Sequence, residues 1–328
     1  MIDSLLWSLI GPAYLPFAIL ILLLDIALCV TVVFLERKNP TVAIAWVLVF
    51  VVFPVLGFII YMFFGRHLYG ARIFSKKTDA DVVYKNIARE QLAGWLENHE
   101  HSLNAEGFEN TAGLLLNLDN SIFSDNNNIE VYTDGEVKFS SMREAILSAK
   151  HHIHIEYFII RDDELGQEIV SLLSQKAAEG VEVRAIFDAA GTFRIRKKKF
   201  FGPICKAGGD VRIFFPLKIP FLNTRLHFRN HRKILVVDGK VGFIGGFNIG
   251  DEYLGKGKLG YWRDTHLKIV GAAVASLQRR FVMDWNYSAK DAPLLISGGD
   301  SVYFPSDLTE QHGVSKVQIA SSGHDDPK

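Results

Sequence analysis

Between Arg225 and Asp251 the chain reads RLHFRNHRKILVVDGKVGFIGGFNIGD. One residue separates His231 from Lys233, four more separate Lys233 from Asp238, and six separate Asp238 from the run Gly245-Gly246-Phe247-Asn248. On an extended segment, residues two apart point to the same face, so the imidazole and the ammonium stand together. An imidazole so placed can attack phosphorus while the ammonium neutralises the charge that builds on the phosphoryl oxygens. Gly246 would let backbone approach a phosphate closely. Asn248 would supply a side-chain donor on the other side of the bound group. Such chemistry needs no metal, and no spacing in the sequence suggests a metal or another cofactor. Asp238, directly before Gly239, is first of all a turn residue, expected to support its loop rather than touch substrate.

These residues must be held by a regular frame, and the frame is legible. Ile129–Tyr132 reads as a strand, and Phe139–Lys150 as a helix with Met142, Ile146 and Ala149 on its apolar side. His152–Ile160 alternates, with Ile153, Ile155, Tyr157 and Ile159 on one face and His152, His154, Glu156 and Phe158 on the other. Glu164–Glu179 reads as a helix stopped by Gly180, and Val181–Phe187 as a buried strand ending at Asp188. This β-α-β-α-β rhythm predicts an α/β fold, a mostly parallel sheet flanked by helices. Ile234–Val237 and Val241–Ile244 flank Asp238-Gly239-Lys240, a hairpin signal. Tyr261–Val270 reads as a further strand, and Val274, Leu277, Phe281 and Trp285 form one helical stripe.

Across its 328 residues, 36 Lys and Arg balance 36 Asp and Glu. That removes the broad basic footprint of a nucleic-acid binder. Cys29 and Cys205 form no disulfide framework. The apolar residues concentrate at the start. Residues 15–35 are interrupted only by Pro16 and Asp25, and residues 41–64 carry no charge at all. Each stretch is long enough to span a bilayer as a helix, and Glu36-Arg37-Lys38-Asn39-Pro40 forms the turn between them. Residues 1–66 are therefore expected to be a two-helix transmembrane hairpin. No Lys or Arg precedes Arg37, which disfavours a cleaved signal peptide. Arg66, Arg72, Lys76 and Lys77 outnumber Arg37 and Lys38, placing the large domain in the cytoplasm. Asp25 is expected to pack against the second helix. Residues 67–128 read as a linker with helices, Val82–Leu96 among them, and the large domain is expected over 129–313.

The spacing H-x-K-x(4)-D with a downstream G-[GS]-x-N matches the signature of the phospholipase D superfamily. Further segments narrow the match: Glu36–Pro40 with Ala45-Trp46, Pro54, Gly57 and Phe64-Gly65-Arg66; Ile153–Tyr157; Arg229–Lys233; Gly245–Tyr253; and Trp262–His266. Over nearly its whole length the chain resembles the bacterial cardiolipin synthases. That resemblance implies a phospholipase-D-type sheet, mixed or mostly parallel, behind a membrane anchor in the cell membrane. It also implies joining of two phosphatidylglycerol molecules into cardiolipin with release of glycerol, through a phosphohistidine. By the same resemblance, His231, Lys233, Asp238 and Asn248 are catalytic, and Asp264 is the carboxylate that orients the histidine. Gly245, Gly246, Glu156, His154 and Arg229 are then substrate-binding. The implied partners are phosphatidylglycerol, other anionic phospholipids and the membrane itself, with no nucleic acid and no cofactor.

Members of that family carry two such motifs on one chain, and this sequence has one. Residues 314–328 resemble the opening of a second half, so the chain is expected to be a piece of a longer enzyme. As a lone monomer it would be inactive, needing a second motif-bearing half or a second copy of itself. Two other readings stay open: a dimeric single-motif phosphodiesterase or nuclease, and a non-catalytic membrane subunit. Two segments also have two readings each. Phe214–Leu222 either dips into the bilayer surface or forms a buried strand and loop. The run Arg194, Arg196, Lys197, Lys198 and Lys199 either holds anionic headgroups or is a solvated face.

Overall fold

The computed structural model describes residues 19–35, 40–64, 108–216, 229–257, 260–294, 302–310 and 312–321, with isolated residues 16, 86, 89 and 90. The chain divides into two compact units, one at the N-terminus and one holding the sheet.

In the N-terminal unit, residues 19–30 are helical and run into a π-helical turn, Thr31–Leu35. The expected second span is not one helix. Helix α1 (Pro40–Val52) ends at Phe53, and α2 (Pro54–Phe64) doubles back on it. The ring of Phe50 lies 5.1 Å from that of Tyr61, eleven residues on; a straight helix would separate them by about 16 Å. Pro54 provides the break, because it lacks the N–H a continuing helix requires. Gly57 lets the two helices touch, since a side chain there would meet Val49 O at 2.9 Å. Among the described residues no helix is long and apolar enough to cross a membrane. Leu20, Leu22, Leu23, Val51 and Val52 are nonetheless exposed. The basic residues that set the expected orientation, and most of Val82–Leu96, lie outside the described residues.

The second unit is built on an eight-stranded sheet in the order β4-β3-β2-β5-β6-β7-β1-β8. Its strands are β1 (Phe123–Tyr132), β2 (His152–Tyr157), β3 (Glu182–Asp188), β4 (Asp210–Phe214), β5 (Lys233–Val237), β6 (Val241–Gly245), β7 (His266–Val270) and β8 (Ser315–Gln318). Only β2/β3 and β3/β4 pair in parallel; the other five pairings are antiparallel. The sheet is thus mixed: of the mixed or mostly parallel sheet that the resemblance implied, it is the mixed form. The α-helical crossovers that enforce parallel pairing occur only up to β4, after which β5, β6 and β7 run as an antiparallel meander.

Helices cover both faces. On one side, α4 (Gly135–Ser148) and α5 (Glu164–Ala178) bury Phe139, Met142, Ile146, Ile169 and Leu173 against Ile153, Ile155 and Tyr157. Asp134 and Asp163 cap these helices, accepting from the N–H groups of Val137 and Gly166. On the other side, α8 (Ala273–Ser288) lays Val274 and Leu277 on Ile234, Val236 and Ile269. Two short helices, α6 (Lys197–Phe200) and α7 (Gly202–Lys206), lead into β4. The expected limits 129 and 313 need correction too. β1 begins at Phe123, and β8 pairs with it, Phe123 opposite Gln318. Gln318 also donates to the carbonyls of Ala112 and Ser121, tying in α3 (Phe108–Asp119). Residues 315–318, in the stretch expected to open a second half, pair within this sheet.

Candidate active site

His231 sits just ahead of β5, and Lys233 is the first residue of that strand. The Lys233 ammonium curls back, 2.6 Å from the His231 carbonyl, 2.9 Å from Nδ1 and 3.3 Å from Nε2. The imidazole is exposed and packs on Phe158, ring centres 4.7 Å apart. Burial of its inner edge and then the neighbouring ammonium lower the pKa of His231, opposed by Asp188. The ring is therefore neutral and able to attack near neutral pH. Burial also pulls Lys233 down to about 8, with Asp264 holding it up. A cleft of about 250 Å³ opens beside the pair, lined by His231, Lys233, Gly245, Arg280 and the residues that follow β8, Ile319 to Ser321.

Two of the expected site residues have a different structural reason. An added Cβ at Gly246 would lie 2.0 Å from Asp264 Oδ1, and one at Gly245 would lie 2.5 Å from the His266 backbone. The paired glycines therefore admit Asp264, Thr265 and His266 close against β6, and the carboxylate of Asp264 fills the space the sequence reading left to a phosphate. Asp264 does not orient His231 by a hydrogen bond either. It accepts from the Thr265 N–H (2.7 Å), and the charge it stabilises is that of Lys233. The carboxylate whose field reaches His231 is Asp188, at the end of β3, which accepts from the N–H groups of Asn230 (2.9 Å) and Ala190 (2.7 Å).

The other expected residues are distributed around this centre. Asp238 has a positive φ of 53° and accepts from the N–H groups of Lys150, His151 and His152 at 2.8–2.9 Å, so it fastens the α4–β2 loop to the β5–β6 turn. Asn248 Oδ1 accepts from the Ile159 N–H (3.1 Å) and its amide donates to the Tyr253 hydroxyl (3.2 Å). It thereby fixes the loop that carries Phe158. Arg229 reaches toward Asp188, 3.7 Å away. His154 is wholly buried, stacked 4.5 Å from Phe281 and 2.8 Å from the Gln278 amide; this is a core position rather than one that meets substrate.

Glu156 is also buried. It accepts from the Asn230 amide, and burial, then the charge of Asp284, raise its pKa well above the usual carboxylate range. Asp284 stays ionised: burial opposes this, but Arg280 and Arg232 outweigh it, donating at 2.5–3.0 Å and 3.0 Å. Glu156 is thus a neutral strut beneath the Asn230–Lys233 segment.

Asp188, Phe158, Arg280 and Asp284 carry no functional signature in the sequence, and His266 stands out there only as the end of the Trp262–His266 segment. His266 is fully buried opposite Gly245, and burial, then Lys138 and Lys233, lower its pKa well below the usual value. No local pattern marks these positions, because each acquires its meaning from a distant strand. Among the described residues no cluster of His, Cys, Asp and Glu could hold a metal ion.

Residues 142–285 match the family model described as cardiolipin synthase, PLD-like domain, and residues 23–66 match that described as phospholipase D-nuclease N-terminal. The cardiolipin synthase of Listeria monocytogenes is 42% identical over 311 residues, 94% of this chain and 63% of that protein. Over nearly its whole length the chain is similar to the phospholipase-D-like cardiolipin synthases. The cardiolipin synthase of Staphylococcus aureus is 41% identical over 307 residues, 93% of this chain and 61% of that protein. The chain therefore spans a little under two thirds of the length of these relatives. Among solved structures, the phosphatidylserine synthase of Haemophilus influenzae aligns with a TM-score of 0.42 at 20% identity, over 57% of this chain and 43% of that one. All five catalytic candidates and all five substrate-binding candidates fall inside residues 142–285.

Proposed function

We propose that this chain is the membrane-anchored, first-motif part of a cardiolipin synthase. His231 attacks the phosphorus of one phosphatidylglycerol, and glycerol leaves with a proton. The phosphatidyl group is then held on the imidazole as a phosphohistidine. The free hydroxyl of a second phosphatidylglycerol attacks that phosphorus and loses its proton, giving cardiolipin and restoring His231. The observation that carries the reading is the pairing of an exposed, neutral imidazole with an ammonium 2.9 Å away at the mouth of a cleft. A compact charge so placed stabilises the phosphorane-like transition state, in which negative charge accumulates on the equatorial oxygens.

The proton for the departing glycerol comes from a second imidazole. Within the described unit, His154 and His266 are wholly buried and His152 is nearly so, so none of them can meet the leaving group. A second motif, on a further half or on a second copy of the chain, supplies it across the open cleft. The exposed leucines and valines of the first 64 residues support a lipid-embedded anchor, and the excess of Arg66, Arg72, Lys76 and Lys77 over Arg37 and Lys38 supports a cytoplasmic large domain.

Turnover of labelled phosphatidylglycerol in mixed micelles tests this reading, with His231→Ala in parallel. Cardiolipin formed only with His231 intact, by the chain alone or with a C-terminal half from a relative added, supports it. No product under either condition contradicts it.

A further inference from the structure

The segment between β3 and β4 is strongly basic within a neutral chain. From Ala189 to Gly209 it holds six Lys and Arg and no Asp or Glu. Its start is rigidly placed. Thr192 donates to the Asp188 carbonyl through both N–H and hydroxyl, and Phe200 and Phe201 are buried in the core. An added Cβ at Gly191 would lie 1.8 Å from the Phe158 carbonyl, so the turn is seated on the residue that packs against His231. From this base Phe193 projects with 68% of its surface exposed, beside the exposed Arg194, Arg196, Lys198 and Lys199.

A merely solvated face explains the cations but not the bare aromatic ring among them. Water disfavours that ring, whereas the interface of a bilayer accepts it, and anionic headgroups attract the cations around it. A free phosphate would have no use for the phenyl group.

We infer that residues 193–199 are a docking surface for an anionic lipid bilayer, with Phe193 inserting at headgroup depth and the four exposed cations meeting lipid phosphates. The seating of Gly191 against Phe158 then brings the membrane surface beside His231, where a lipid phosphodiester can enter without leaving the bilayer. This deepens, and rests on, the reading of the chain as a lipid-directed enzyme.

Amide hydrogen exchange tests the inference without needing turnover. The full chain is reconstituted in nanodiscs of phosphatidylcholine alone, or of phosphatidylcholine with phosphatidylserine, an anionic lipid that keeps the proposed substrate out. The amides of 193–199 should exchange at least about fivefold more slowly with phosphatidylserine present. The difference should vanish in about 1 M salt, where the Debye length falls to about 3 Å. It should also be lost in Phe193→Ser and in the combined variant Arg194→Gln, Arg196→Gln, Lys198→Gln, Lys199→Gln. Unchanged exchange in β2 and β5 serves as the control for folding in both. Equal exchange in the two lipids would overturn the inference, as would protection that survives either variant, or protection by a short DNA duplex but not by lipid. None of these results would touch the turnover assay, so the two readings fail separately.

Discussion

The carboxylate of Asp264 occupies the volume that a side chain on Gly246 would need, with Oδ1 2.0 Å from where that Cβ would stand. The glycine pair at the end of β6 is thus a notch for Asp264, and Asp264 in turn steadies the ammonium of Lys233. Gly246→Ala must expel the carboxylate or shift β6. It should lower phosphatidyl transfer by about 10- to 100-fold, on the scale of a displaced charge-stabilising group. Measured kcat should fall more than KM rises.

Removing the charge without the volume separates the two effects. In Asp264→Asn the Lys233 pKa should fall below its value of about 8, because the stabilising carboxylate is gone while burial remains. Competitive acetylation of Lys233 across pH measures this directly. A pKa that does not move would show that Asp264 serves packing alone.

The pH profile of transfer should be bell-shaped. Activity rises as His231 loses its proton, at a pH below the ordinary histidine value because burial and Lys233 lower it. It falls as Lys233 loses its proton near pH 8. Lys233→Arg should remove the component of the alkaline limb near pH 8, since a guanidinium keeps its charge throughout that range, and leave the part set by the second imidazole. Profiles of the two proteins over pH 5 to 10 decide the assignment.

Asp238 should prove structural. Burial alone would raise its pKa, but the N–H groups of His152, Lys150 and His151 outweigh that and hold it below the usual value. Its contribution is therefore fully present above the carboxylate's unfolded pKa and is lost as pH falls through the lower folded value. Asp238→Ala should destabilise the domain by about 2–3 kcal/mol in denaturant melts, from three orphaned donors and a strained turn. Asp238→Asn, which tolerates positive φ, should cost less than half of that.

The buried carboxyl pair gives opposite expectations for two similar changes. Glu156 is neutral, so Glu156→Gln preserves its state and should change stability by under about 1 kcal/mol. Asp284→Asn instead strips the anion from between Arg232 and Arg280 and should cost about 3–5 kcal/mol. Chemical denaturation of both variants makes the comparison.

What the sequence revealed follows from the range of each interaction. His231, Lys233, Asp238 and the turn after β5 lie within ten residues, and the strand period alone orders them. The capped helices α4 and α5 were legible for the same reason, although α4 starts four residues earlier than its apolar stripe suggested. The partners of Gly246 and His231 were not legible. Asp264 lies 18 residues from Gly246 and Asp188 lies 43 from His231, and only the pairing of β6 with β7 and the place of β3 beside β2 bring them near. The β5–β6 hairpin was announced by its turn, but the antiparallel pairing of β5 with β2 and of β6 with β7 was hidden, because a buried strand reads alike in either direction. The break at Phe53 was visible in Pro54, but hydropathy summed over residues 41–64 hides it.

The central claim is that His231 becomes covalently phosphatidylated. Brief incubation of the chain with phosphatidylglycerol labelled in its phosphate, quenched in alkali and followed by peptide mapping, tests it most directly. An acid-labile, base-stable label should appear on the peptide containing His231 and be absent in His231→Ala. Label on any other residue, or none while cardiolipin accumulates, would contradict it.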